Sequence, residues 1–208
     1  MNRMITILGT ASLLAGLAGA ALSQEAEGRW RAELAPLNDS GTSGTATLSV
    51  SGDVLTIRVE AQGAAPGIMH LQHFHGFPTG TETAACPTGD ADANGDGVVD
   101  LIETEPVAGT TMVPFDADPA GMDLLGGDFP VAGSDGSYGY EQDVPLTSLL
   151  EAFAEMFPDQ GLDLDRRVVF LHGMPDDANL PDSAESLGGV PAHVTVPIAC
   201  GALRAVEG

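Results

Sequence analysis

The stretch GTATLSVSGDVLTIRVE, Gly44 to Glu60, alternates apolar and polar side chains twice, with a break between the two runs. Ala46, Leu48 and Val50 fall on one face of the first run, and Thr45, Thr47 and Ser49 on the other. After Ser51-Gly52-Asp53, Leu55, Ile57 and Val59 repeat the pattern. A period of two marks a half-buried strand, and a Gly-Asp break between two such runs makes them a hairpin. GRWRAEL before it, RRVVFLH (Arg166 to His172) and HVTVPIACGALRAV at the end also read as strands. Gly, Asp and Pro dominate from Pro87 to Asp165, which predicts long loops. One helix is expected within them, with Ser148 as N-cap and Glu151 closing a capping box. Leu149, Leu150, Phe153 and Phe157 would form its apolar face, and Pro158 its stop. The fold class expected is all-β: an antiparallel sandwich with long loops and one short inserted helix.

The N-terminus reads as a secretory signal. Arg3 is basic, Met4 to Leu22 is a small-residue apolar stretch, and Ala21-Leu22-Ser23 suits cleavage before Gln24. An uncleaved membrane anchor is the rival. Its Gly, Ala, Ser and Thr content and the acidic residues that follow favour the signal. Residues 24–208 would then be a single exported domain, periplasmic or secreted. That domain has no lysine and six arginines against 30 acidic residues, a net charge of −24. Such a surface repels nucleic acid and anionic membranes. Two cysteines, Cys86 and Cys200, in an oxidising compartment predict one disulfide.

IMHLQHFHGF, Ile68 to Phe77, holds three of the chain's five histidines. On a strand His73 and His75 share one face, while His70 points the other way and Phe74 turns inward. Two imidazoles on one rigid face begin a metal site, and imidazole suits copper and zinc. A third donor has to be His172, at the end of an apolar strand, or His193. Met69 and Met174 flank two of these histidines, as gap-fillers in the packing or as soft donors favouring Cu(I).

The spacing H-x-x-H-x-H at His70, His73 and His75 resembles the copper-binding strand of the copper/zinc superoxide dismutases. Cys86 follows shortly after. RRVVFLHGMPDD is similar to that family's later copper-ligand segment, and IACG (Ile198 to Gly201) to the motif around its disulfide cysteine. The resemblance spans roughly residues 28–205. It implies a Greek-key, immunoglobulin-like β-sandwich of superoxide dismutase type, with His73, His75 and His172 as copper ligands. It also implies that His70 is a structural histidine behind the strand, that Asp176 orients the ligands, and that Cys86–Cys200 is the structural bridge. The pattern departs from the family in two places. Pro87 to Leu171 contains no histidine, so neither a zinc site nor a bridging imidazolate is expected. Pro197 stands where the family carries its substrate-guiding arginine, which leaves Arg166 and Arg167 to offset the negative surface locally. His193 has no counterpart, and is either a fourth copper ligand or an exposed strand histidine.

DANGDGVVDLIE fits the calcium-loop template, with Asp92, Asn94 and Asp96 at positions one, three and five. Gly97 takes the sharp turn, Val98 offers a carbonyl, Asp100 sits at position nine and Glu103 at twelve. No long helix is expected on either side. The loop falls where the resembling family keeps its zinc loop, so a structural calcium ion is expected in place of zinc.

Two functions follow as expectations. One is an exported copper protein that dismutates superoxide at a mononuclear, zinc-free site, with superoxide as substrate. The alternative is a non-catalytic module for copper storage, delivery or structure, whose partner is a copper donor or acceptor.

Overall fold

The computed structural model describes residues 27–187 and 189–206; the expected signal at 1–23 lies outside them. Its strands follow in chain order: β1 Gly28–Pro36, β2 Ser43–Ser51, β3 Val54–Gln62, β4 Gln72–Gly76, β5 Thr110–Pro114, β6 Tyr138–Pro145, β7 Val168–His172, β8 Pro197–Ala202 and β9 Arg204–Ala205. Helices α1 (Leu101–Ala108), α2 (Leu146–Met156) and the single turn α3 (Ala192–Thr195) interrupt them.

All the strand pairings are antiparallel. Strands run β1-β2-β3-β6 on one side and β5-β4-β7-β8 on the other. Two residue pairs, Ala35 with Cys200 and Pro36 with Ala199, join β1 to β8, so the whole curls like a half-barrel. The predicted hairpin is β2–β3. Gly52 takes a left-handed φ of +59° in its turn, where glycine carries no Cβ penalty.

Alternation decides the inner faces. Trp30, Ala32 and Leu34 from β1, Leu48 and Val50 from β2, and Leu55, Ile57 and Val59 from β3 are buried against Phe74, Val169 and Leu171 of the facing sheet. Each such burial contributes about 1.5–3 kcal/mol, and this shared core holds the two sides together. In β4 and β7 every residue is buried, including those on the outer face. That outer face carries His73, His75, Val168, Phe170 and His172. The chain between β4 and β5, with Ala84, Cys86 and Ala108, packs over part of it.

The middle of the chain is more ordered than its composition predicts. α1, β5 and β6 all form inside the region read as loop. β5 and β6 are the two ends of the strand order, so each pairs on one edge only; β5 still buries Met112, Val113 and Pro114. β6 shows Tyr138 and Val144 buried among exposed polar residues. Helix α2 ends before Pro158 as expected but starts two residues ahead of Ser148 and lacks the expected capping box. Its first amides are held from the hairpin turn: the Asp53 carbonyl accepts Leu146 N–H at 3.0 Å, and Asp53 Oδ1 accepts Thr147 N–H at 2.9 Å.

The disulfide joins Cys86 to Cys200 across 114 residues and ties the covering segment to β8. Closing so long a loop contributes about 4 kcal/mol on the chain-entropy account. The Cys86→Ala/Cys200→Ala variant should keep its far-ultraviolet dichroism and melt about 10 °C lower by calorimetry. An unchanged melting temperature would mean that hydrogen bonds alone pin the covering segment.

Candidate metal centre

Strand pairing brings the predicted histidines together. β4 lies antiparallel to β7, with His73 opposite Phe170 and His75 opposite Val168, and the His172 amide bonds to Leu71 O at 2.8 Å. Register shifts at Phe74/His75 against β5 and at Leu171/His172 against β8 put a bulge beside two of the three histidines. Bulges bend a strand locally and re-aim its side chains. The result is a trio, His73, His75 and His172, whose ligating nitrogens lie within 4.8 Å of one another. Among the described residues it is the one group of three or more His, Cys, Asp or Glu side chains gathered this closely.

The hydrogen bonds of the rings decide which nitrogens are available. His73 Nε2 sits 2.7 Å from Leu124 O, and His172 Nδ1 sits 2.8 Å from Thr195 O. His75 Nε2 lies 3.3 Å from Thr111 Oγ1, and the Gly109 carbonyl adds a backbone hydrogen bond to that ring. A carbonyl accepts only, so His73 Nε2 and His172 Nδ1 carry the hydrogen, and a neutral ring then keeps a lone pair on the opposite nitrogen. The Thr111 hydroxyl can donate or accept, and the Gly109 carbonyl favours the matching tautomer of His75. Those opposite atoms, His73 Nδ1, His75 Nδ1 and His172 Nε2, are buried without a hydrogen-bond partner. Three lone pairs left unmade in a dry interior are costly unless something else occupies them. The donor set therefore fits one metal ion bound by three neutral imidazoles, with backbone oxygens fixing the tautomers. Gly109 is placed for this. Its φ is +73°, and a Cβ there would overlap the Gly76 carbonyl, so only glycine lets the end of α1 lie against β4 beside His75.

Burial keeps the trio neutral. Desolvation, then the neighbouring His172, pushes His73 down to about 3. Desolvation brings His172 to about 4, and His75 is driven well below its usual range by the same cause and by both neighbours. The surroundings are apolar. Leu71, Leu101, Leu125 and Leu187, with Thr111 and Thr195, line a pocket beside His73 and His172 that holds about 10 Å³, barely the room one water molecule needs. Phe129 packs on His73 with ring centres 5.3 Å apart.

The remaining predicted residues are placed as follows. His70 is fully buried behind β4, with Nδ1 3.0 Å from His172 O and Nε2 2.9 Å from Ala65 O, and it stacks on Tyr138. Its Nδ1 thus lies against the backbone of a trio residue. His193 is on α3, not on a strand, and Asp176 is exposed; both line a separate surface groove. The anchoring expected of Asp176 is made instead by main-chain oxygens and Thr111. Arg166 bonds to Gly80 O, Glu82 O and Asp163, while the fully buried Arg167 bonds to Leu162 O and Gly161 O.

In the acidic loop, backbone amides occupy many of the expected ligand oxygens. Asp92 accepts from Gly95, Asp96 and Gly97, Asn94 from Asp96, Asp96 Oδ1 from Val98, and Glu103 Oε1 from Ala93 and Asn94. Asp100 turns away to cap α1 at Glu103 N and to hold Glu185 N at 2.6 Å. The leucine lining of the pocket, spread over positions 71, 101, 125 and 187, is what sequence reasoning missed. No family model matches the chain, and no curated protein matches it in sequence.

The three neutral rings set a pH signature for the metal-free protein. A free imidazole takes up its proton near 6.5, whereas His172 and His73 resist until about 4 and about 3. Between those limits the unfolded chain binds protons that the folded chain refuses. Stability is therefore complete above about 6.5 and is lost as pH falls toward 4. Urea midpoints measured in EDTA should be flat from pH 8 to 7 and drop steadily from 6.5 to 5, ahead of most carboxylates. A midpoint constant across that window would mean the rings titrate as free imidazoles.

Proposed function

We propose that this chain is an exported copper-binding protein of superoxide-dismutase-like, Greek-key sandwich type, and that His73, His75 and His172 hold one copper ion. The observation that carries the reading is the convergence of three buried imidazole nitrogens with no partner, each on a ring anchored from its far side. The interleaved strand order and the ligands on neighbouring strands support the fold assignment. Three uncharged donors without a carboxylate leave the charge of a bound ion uncompensated. In dry apolar surroundings a singly charged ion then costs less to hold than a doubly charged one, which favours copper in its Cu(I) state over zinc.

Of the two copper roles, holding and handing on the ion is better supported than turnover of superoxide. Copper bound here would supply one-electron chemistry, but an anionic substrate needs access and attraction. The leucine-lined pocket leaves room for about one water molecule, and Arg166 and Arg167 are committed to the backbone around residues 161–166 and 80–82. The net charge of the chain is negative throughout neutral pH. For the loop at 92–103 we assign a structural calcium ion, on the match of Asp92, Asn94, Asp96, Val98 and Glu103 to the template. Export to the periplasm or medium rests on the leader and the disulfide.

Protein loaded with copper and then oxidised should hold one Cu(II) per chain, with hyperfine splitting from three imidazole nitrogens. His73→Ala should lose that Cu(II) and its splitting. Superoxide should decay no faster with the loaded protein than with His73→Ala; a clear acceleration would instead establish the dismutase role. Calcium at 1 mM should raise the melting temperature over EGTA-treated protein, and Glu103→Gln should remove that shift.

A further inference from the structure

A second cluster of metal-binding chemistry lies outside the buried trio. Met69, Met174, His193 and Asp176 line one surface groove of about 380 Å³, floored by Ile68, Gly173 and Val194. Met69 is 42 % exposed, so its sulfur is open to solvent, and His193 is half-buried. We propose that this groove is a binding site for a soft monovalent cation, Cu(I) or Ag(I), with the Met69 and Met174 sulfurs and the His193 imidazole as donors.

The chemistry of the donors selects the ion. Thioether sulfur is a poor ligand for hard or doubly charged ions and a good one for Cu(I) and its analogue Ag(I). Imidazole binds the same ions, and the Asp176 carboxylate on the rim balances a single positive charge. Backbone hydrogen bonds hold together the segments that carry these side chains. Met174 N–H bonds to His193 O at 2.7 Å, and Gly173 N–H bonds to Val196 O at 3.1 Å, so the end of β7 is laced to α3. Gly173, at φ +110°, lies where a Cβ would stand 3.3 Å from both Met69 O and His70 Nδ1, which brings the segment holding Met69 up against the one holding Met174.

The groove is also placed for transfer. Met69 is four residues before His73, and Met174 is two residues after His172, so both sulfurs belong to the segments that run into the ligand strands. α3 carries His193 on the groove and, two residues on, the Thr195 carbonyl that aims His172. An ion taken up at the groove sits on the same short stretch of backbone that sets the trio. This is the arrangement expected of an acceptance point for a cation that is then passed inward. The site itself stands or falls without the trio.

The test uses the full-length chain labelled with 13C at its methionine methyl groups, with silver nitrate as probe in chloride-free buffer. The Met69 and Met174 methyl resonances, assigned from single Met→Leu variants, should shift together and saturate. They should do the same in His73→Phe, where the buried trio is broken. The Met69→Leu/Met174→Leu variant, of nearly unchanged side-chain volume, should bind one fewer Ag(I) than wild type by equilibrium dialysis. His193→Ala should weaken that equivalent at least tenfold. The proposal is overturned if either methyl group stays unmoved, or if the double variant binds as many silver ions as wild type. A wild-type chain in which the methyl groups move but copper loading gives no three-nitrogen signal would sink the buried copper site and leave the groove standing.

Discussion

The pairing of β4 with β7 is the interaction on which the rest of this molecule depends. It brings residues about a hundred positions apart into one face, and it makes both strands internal on both of their sides. The inner side is ordinary sandwich core, built from Phe74, Val169 and Leu171. The outer side is the unusual one. Three imidazoles stand there away from water, and a polar group can be buried only if its hydrogen-bonding capacity is met. Main-chain oxygens of residues 124 and 195, and the 109–111 segment, meet half of that capacity. The unmet half converges on one point. The covering segments, the disulfide and the leucine lining all follow from the need to keep this face dry.

Much of this was legible in the sequence because it obeys a period of two. The β2–β3 hairpin, the shared face of His73 and His75, the inward turn of Phe74 and the Cys86–Cys200 bond all follow from alternation or from cysteine count. His172 joins the trio by tertiary contact, and only the motif resemblance pointed to it rather than to His193. The middle of the chain was read as loop because β6 buries only Tyr138 and Val144, and because β5, although it buries Met112, Val113 and Pro114, is a short run set among Gly, Asp and Pro. Helix α2 was misplaced at its start for a different reason: its cap, Asp53, lies 94 residues upstream, beyond any local rule. The main-chain anchors of the trio left no trace, since a carbonyl oxygen belongs to every residue type; Thr111 is the one side-chain anchor.

The acidic loop and the histidine trio are linked through the pocket lining. Asp100 caps α1, and the very next residue, Leu101, lines the pocket beside His73 and His172. Glu185, held by Asp100, lies two positions from Leu187, another lining residue. Order in the acidic loop therefore passes directly to the hydrophobic lining, through one carboxylate and its two amide partners.

Aiming two of three buried imidazoles through main-chain oxygens has a consequence for how such a protein can drift over generations. Replacing the residue at 124 leaves the acceptor where it was, so substitutions in the supporting segment are tolerated that would be fatal to a carboxylate in the same role. An inserted or deleted residue near 124 or 195 is another matter, because it slides the oxygen away from its ring. Selection on this pocket acts on segment length more than on spelling, and chains sharing the pocket can therefore diverge widely in sequence.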